Sequence, residues 1–149
     1  MKHIIALLVL LSALTACGPQ QLPVTSTPSV APSERNVEDL DSLVDSLHTA
    51  GAEVELGDMV EQAFFSVKGQ IVKVNGSDVQ VFEYENAEAM EAGAEQVAPD
   101  GGSVGTSMIT WVDTPHFYKT GRILVLYVGD DAATTDLLKS VLGEQFAGR

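Results

Sequence analysis

Val72-Lys73-Val74-Asn75-Gly76-Ser77-Asp78-Val79-Gln80-Val81-Phe82 reads as two β-rich runs joined at Asn-Gly. A type I′ turn needs positive φ at both central residues, and asparagine followed by glycine reaches it with the least strain. The stretch predicts a hairpin: a long strand over 64–74 broken near Gly69, a turn over 75–78 and a strand over 79–84. A second set of the same kind lies downstream. Residues 108–112 and 116–119 read as one strand interrupted at Asp113-Thr114-Pro115, Thr120-Gly121 as a turn, and 122–128 as the return strand. In that return strand Ile123, Val125 and Tyr127 point one way while Leu124, Leu126 and Val128 point the other. Both faces are apolar, which predicts a central strand.

Helices flank these hairpins. Asn36 is the expected cap of a first helix, whose Leu40, Leu43, Val44 and Leu47 recur at i, i+3, i+4 and i+7, with Gly51 just past its end. A short strand over 52–56 follows. Asn86 should cap a second helix over 87–97, with the small inner face Ala87, Met90, Gly93, Ala94 and Val97. Asp130 or Asp131 should cap a third, carrying Leu137, Leu138, Val141 and Leu142 and stopped by Gly143.

The order α-β-β-β-α-β-β-α predicts an α+β domain of two layers, an antiparallel sheet of four or five strands with helices packed on one face. Shifting the first half by about 45 residues lays Gly76 on Gly121, Phe82 on Tyr127 and Asn86 on Asp131, which reads as a weak internal ββα repeat. The second face of the sheet needs a cover. Residues 37–60 and 143–149 are the expected cover, and a homodimer is the alternative.

Upstream of 37 the composition changes. Four of the chain's six prolines, Pro19, Pro23, Pro28 and Pro32, lie among serines and threonines, so 17–36 reads as an extended tether. Residues 1–16 carry Lys2 and then an apolar run over 4–11, too short to span a bilayer, as in a cleaved leader. The chain's one cysteine closes this segment, in Leu14-Thr15-Ala16-Cys17. That motif resembles the lipobox of bacterial lipoproteins. The resemblance covers 1–17 and implies a signal peptide over 1–16, cleavage before Cys17, diacylglycerol on its sulfur and acylation, such as palmitate, on its amino group. It further implies a lipid-anchored domain facing out of the cytoplasm in the cell envelope. Gly18 is not the aspartate that holds such proteins at the inner membrane in some enterobacteria, so cell membrane and outer membrane both stay open.

The 149 residues hold 21 Asp+Glu against 8 Lys+Arg, a formal charge of −13. That balance excludes nucleic acid, which is held by basic side chains. It also predicts that the domain stands off anionic lipid headgroups. One cysteine excludes an internal disulfide framework and a cysteine-rich zinc site.

Motifs that carry catalysis are sparse. There is no GxSxG, no HExxH and no glycine-rich loop followed by Lys-Ser/Thr. Gly101-Gly102-Ser103-Val104-Gly105 reads as a connection and not as a phosphate cradle. His48 suits the C-terminal end of the first helix. His116 is the weak catalytic candidate, because Asp113, His116 and Tyr118 place a carboxylate, an imidazole and a phenol within six residues. The competing reading has Pro115 re-aim the strand, Phe117 fill the core, and His116 and Tyr118 sit half exposed on one face. Glu83, Glu85, Asp130 and Asp131 lack the alternation of a calcium loop. Glu88, Glu91 and Glu95 read as a solvated helix face. No metal site and no cofactor are expected.

The sequence therefore predicts a membrane-anchored lipoprotein with an acidic binding or interaction module. Its partners would be the membrane, through the lipid on Cys17, and a candidate envelope protein. The alternatives are a small envelope enzyme or metal-binding protein using the His116 region, and a self-associating structural envelope protein. An enzyme is the less favoured class.

Overall fold

The computed structural model describes residues 36–149. The leader, Cys17 and the tether up to residue 35 fall outside the described residues. Three helices, α1 (Leu40–Thr49), α2 (Ala87–Ala94) and α3 (Ala132–Leu142), accompany strands β1 (Val54–Val60), β2 (Gly69–Val74), β3 (Ser77–Glu83), β4 (Ser103–Val104), β5 (Ser107–Met108), β6 (Pro115–Thr120), β7 (Ile123–Val128) and β8 (Ala147–Gly148). The fold is α+β. Its main sheet has six strands in the order β1-β2-β3-β7-β6-β8, one more than the upper expectation, and every neighbouring pair is antiparallel. β4 and β5 form a separate small hairpin.

The β2–β3 hairpin forms as its turn residues dictate. Asn75 and Gly76 take φ of 52° and 87°, the two positive values of a type I′ turn. β7 lies between β3 and β6, and Ile123, Leu124, Val125 and Leu126 have no exposed surface. Its two apolar faces feed two cores. Ile123, Val125 and Tyr127 pack with Leu43, Leu47 and Leu138 of α1 and α3. Leu124 and Leu126 pack with Phe82, Phe117 and Met90 of α2. Each fully buried leucine or phenylalanine contributes about 1.5–3 kcal/mol of transfer free energy, so β7 is the axis of the fold.

The helices thus divide between the faces. α1 and α3 form one layer, and α2 lies on the other side with the coil over 61–68, the β4–β5 hairpin and Phe146. The second face is covered from within the chain, though residues 37–52 serve the α3 side and not this one. Both halves keep the order β-β-α. A rotation relating them across the β3–β7 pairing would have to run perpendicular to the sheet and leave both helices on one face. With α2 and α3 on opposite faces, the repeat is one of element order only.

Several boundaries move for local reasons. Asp39 caps α1 in place of Asn36: its Oδ1 accepts the Ser42 N–H and Ser42 Oγ accepts the Asp39 N–H, each at 3.0 Å, a reciprocal capping box. The Ser42 hydroxyl, which donates to Asp39 Oδ1 at 2.6 Å, then the Ser42 N–H and the Arg122 guanidinium hold the Asp39 carboxyl below the usual carboxylate range. The predicted strand over 64–74 begins only at Gly69. A side chain at 69 would run into the Phe82 ring, and Phe64 and Phe65 leave the ladder to join the Phe82 and Trp111 aromatics. The predicted strand over 108–112 shrinks to β5 because Trp111 turns inward, its indole N–H donating to the Gly101 carbonyl at 2.7 Å. The β6–β7 turn rests on the segment entering α1: Thr120 Oγ1 donates to the Val37 carbonyl at 2.9 Å and the Arg122 N–H to Glu38 at 2.8 Å. A Cβ on Gly121 would strike the Glu38 backbone, so glycine is required there.

Candidate functional site

β6 carries the residues singled out around Pro115. Its alternation sends Pro115 and Phe117 toward the α2 side and His116 and Tyr118 toward α1 and α3. His116 is 9% exposed and Tyr118 2%, so the half-exposed placement expected for them gives way to burial. The reason is that α3 and the C-terminal tail cover that face of β6.

The His116 ring stacks on Tyr127, its cross-strand partner, at 5.9 Å and 18°. Its Nε2 lies 3.1 Å from the Gly129 carbonyl and its Nδ1 2.7 Å from Gln145 Oε1. A carbonyl only accepts, so Nε2 carries the proton. Nδ1 then either donates to Gln145 Oε1 as an imidazolium or, with the amide turned over, accepts from the Gln145 NH₂ as the neutral ring. In both states the ring joins β6 to the β7–α3 junction and to the tail, and neither nitrogen meets Asp113 or Tyr118.

Asp113 and Asp130 form the polar rim of this region. Asp113 Oδ1 accepts the Thr114 N–H at 2.8 Å, and the Gly129 N–H donates to the Thr114 carbonyl at 2.9 Å. A hydrogen bond from the Thr114 side chain, then one from the Asp113 carboxyl while it is protonated, and the nearby His116 hold the Asp130 carboxyl below its ordinary range. Burial pushes the Tyr118 phenol up, and the carboxylates Asp136 and Glu144 add to that shift, which makes it a poor acid at neutral pH. The three candidates are therefore near in sequence but do not converge on one reacting point.

Asp113 instead faces a shallow cleft of about 380 Å³ shared with Asp100, Trp111, Pro115 and Arg149. The glycine-rich loop meets that cleft at Gly102, and its three glycine amides are committed. Gly101 N–H donates to Ala98, Gly102 N–H to Asp100 Oδ1 and Gly105 N–H to Gln96, at 2.8–2.9 Å.

The chain matches no protein-family model, no curated protein and no solved structure.

The remaining candidates take structural places. Asp131, not Asp130, caps α3, accepting from the Thr134 N–H at 3.0 Å and its hydroxyl at 2.6 Å. Glu83 pairs with Arg122 at 2.5 Å. Glu91 pairs with Lys119, which lies over the Phe146 ring, so this member of the acidic helix face is tied to β6. His48 sits in the last turn of α1, as the helix dipole favours. Among the described residues no three His, Cys, Asp or Glu side chains are grouped to hold a metal ion. Sequence reasoning missed Gln145 and Gly129, the actual partners of His116. They lie 29 and 13 residues away, beyond any local pattern.

Proposed function

We propose that this chain is a membrane-anchored bacterial lipoprotein, held through lipid on Cys17, whose acidic domain faces away from the cytoplasm and works as a binding or interaction module. The observation that carries the module reading is the His116 ring. Its two nitrogens bond to Gly129 and Gln145, so the imidazole that favoured an acid/base set joins three segments of the fold. The lipobox Leu14-Thr15-Ala16-Cys17 and the proline-rich tether support the anchored placement, and acidic repulsion from headgroups favours a domain free to meet a partner. An envelope protein is the proposed partner, at the cell membrane or the outer membrane.

The test is fractionation and in-cell cross-linking of the native chain beside Cys17→Ala. The native protein should partition with membranes and cross-link to a discrete protein, and Cys17→Ala should lose both. Soluble behaviour of the native protein would remove the anchor, and hydrolytic activity abolished by His116→Ala at unchanged melting temperature would restore the enzyme reading.

A further inference from the structure

We infer that β1 is a docking edge that takes an extended, basic segment of another protein as a further strand of the sheet. The inference rests on the interaction-module reading and names the surface and the chemistry of the partner.

β1 is seven residues long and, among the described residues, no strand lies beyond it. Glu53 bonds to Asn75 through both its carbonyl and its N–H, each at 2.9 Å, which makes it an inward-turned position. Inward and outward residues alternate in an antiparallel pair, so Val54 and Leu56 turn their N–H and C=O groups away from β2. Such a row of open donors and acceptors is the template for strand addition.

The side chains give the partner its character. Leu56 is 62% exposed and Met59 60%, large apolar groups left uncovered at the rim of an otherwise filled core. Leu56 lies opposite the fully buried Val72, so an apolar residue on an added strand would extend that core outward. Before, between and after these two positions stand Glu53, Glu55, Asp58 and Glu61, all exposed. The bases nearby are already engaged, Lys73 with Asp78 and Lys68 with Glu61. A strand alternating lysine or arginine with an aliphatic residue complements this edge on both counts. A second copy of the chain would oppose acid to acid along the same seam. The register slips between Leu56 and Met59, where Gly57 and Asp58 form an irregularity filled by the Gln70 side chain, which limits the paired run to the strand's first half.

The experiment is hydrogen exchange read at single amides on the full, lipidated chain in non-ionic micelles. The probe is a synthetic peptide of seven residues alternating lysine with valine; a glutamate-for-lysine peptide is the control. The lysine peptide should slow exchange at Val54 and Leu56, and the glutamate peptide should bind about tenfold or more weakly, since exposed ion pairs become repulsions. The exposed pair of changes Glu55→Lys and Asp58→Lys should reverse that preference, with the fold retained by circular dichroism although Lys73 loses the attraction of both acids. Protection of Val54 and Leu56 before any peptide is added would overturn the proposal, because another segment of the chain or a second copy would then fill the edge. Protection elsewhere, equal binding of both peptides, or none of either would also overturn it. A cross-linked partner that maps away from β1 sinks this inference alone, whereas the absence of any partner sinks the module reading as well.

Discussion

The main sheet ends at β8 on one side and at β1 on the other, and the two borders are built from different materials. On the β6 side the tail is sewn on by backbone: Phe146 N–H donates to Phe117, Gly148 to Pro99 and Arg149 to Pro115, and Gln145 meets the buried His116 ring. On the β1 side a seven-residue strand has no further strand beside it among the described residues, with acids and two bare apolar side chains, Leu56 and Met59, along it. A border made of buried, geometrically exact bonds tolerates little change and reads as structure. A border made of open amides and exposed charge tolerates much and reads as a surface for contact.

The largest effect should come from the closed border. Gly148 has φ of 106° and a Cβ there would strike the Pro115 carbonyl, so Gly148→Val should cost about 2–4 kcal/mol in urea unfolding. His116→Ala should follow at about 2–3 kcal/mol, with a double-mutant coupling to Gln145→Ala of about 1 kcal/mol. Purely additive costs would show that the 2.7 Å bond does not hold the tail. Tyr84, under α2 and away from both borders, sets a scale of opposite sign. Its hydroxyl is buried without a hydrogen-bond partner and burial pushes its phenol up, so Tyr84→Phe should stabilise the domain by about 1 kcal/mol.

A pH effect belongs to the closed border too. Asp130 is held below its ordinary value of 3.8, so its contribution is complete above that pH and is lost as pH falls through the depressed value. Acid unfolding followed below about pH 4 should therefore flatten in Asp130→Asn. The smallest effects should be on the open border. Leu56→Lys and Met59→Lys should each change stability by less than about 0.5 kcal/mol, and a cost several times larger would show that β1 is more enclosed than its exposure indicates.

The same contrast marks what could be read from the sequence. The Asn75-Gly76 turn, the two-faced alternation of β7 and the cap at Asn86 are local signals and appeared where their residues put them, while α2 stops at Ala94, three residues short of its expected end, and Asp131 takes the cap expected at Asp130 or Asp131. β8, the placement of α2 across the sheet and the inward turn of Phe64, Phe65 and Trp111 depend on partners far along the chain. The candidate site was legible as residues but not as an assembly. Strand alternation sets Pro115 and His116 on opposite faces, and the partners of His116 arrive from the β7–α3 junction and from beyond α3. A six-residue window shows the imidazole and the carboxylate and hides what each one bonds to.

The junction of residues 37–39 with the β6–β7 turn gives the molecule a mechanical property. A pull along the chain from residue 36 first loads the Thr120–Val37 and Arg122–Glu38 bonds, beside the start of the central strand. Arg122 also spans Asp39 and Glu83, at 3.6 and 2.5 Å, so the load is shared with the end of β3. Force entering there meets the most deeply packed pair of strands before it can peel α1 from the sheet. Under the anchoring proposed through Cys17, the domain would thereby be gripped near its middle.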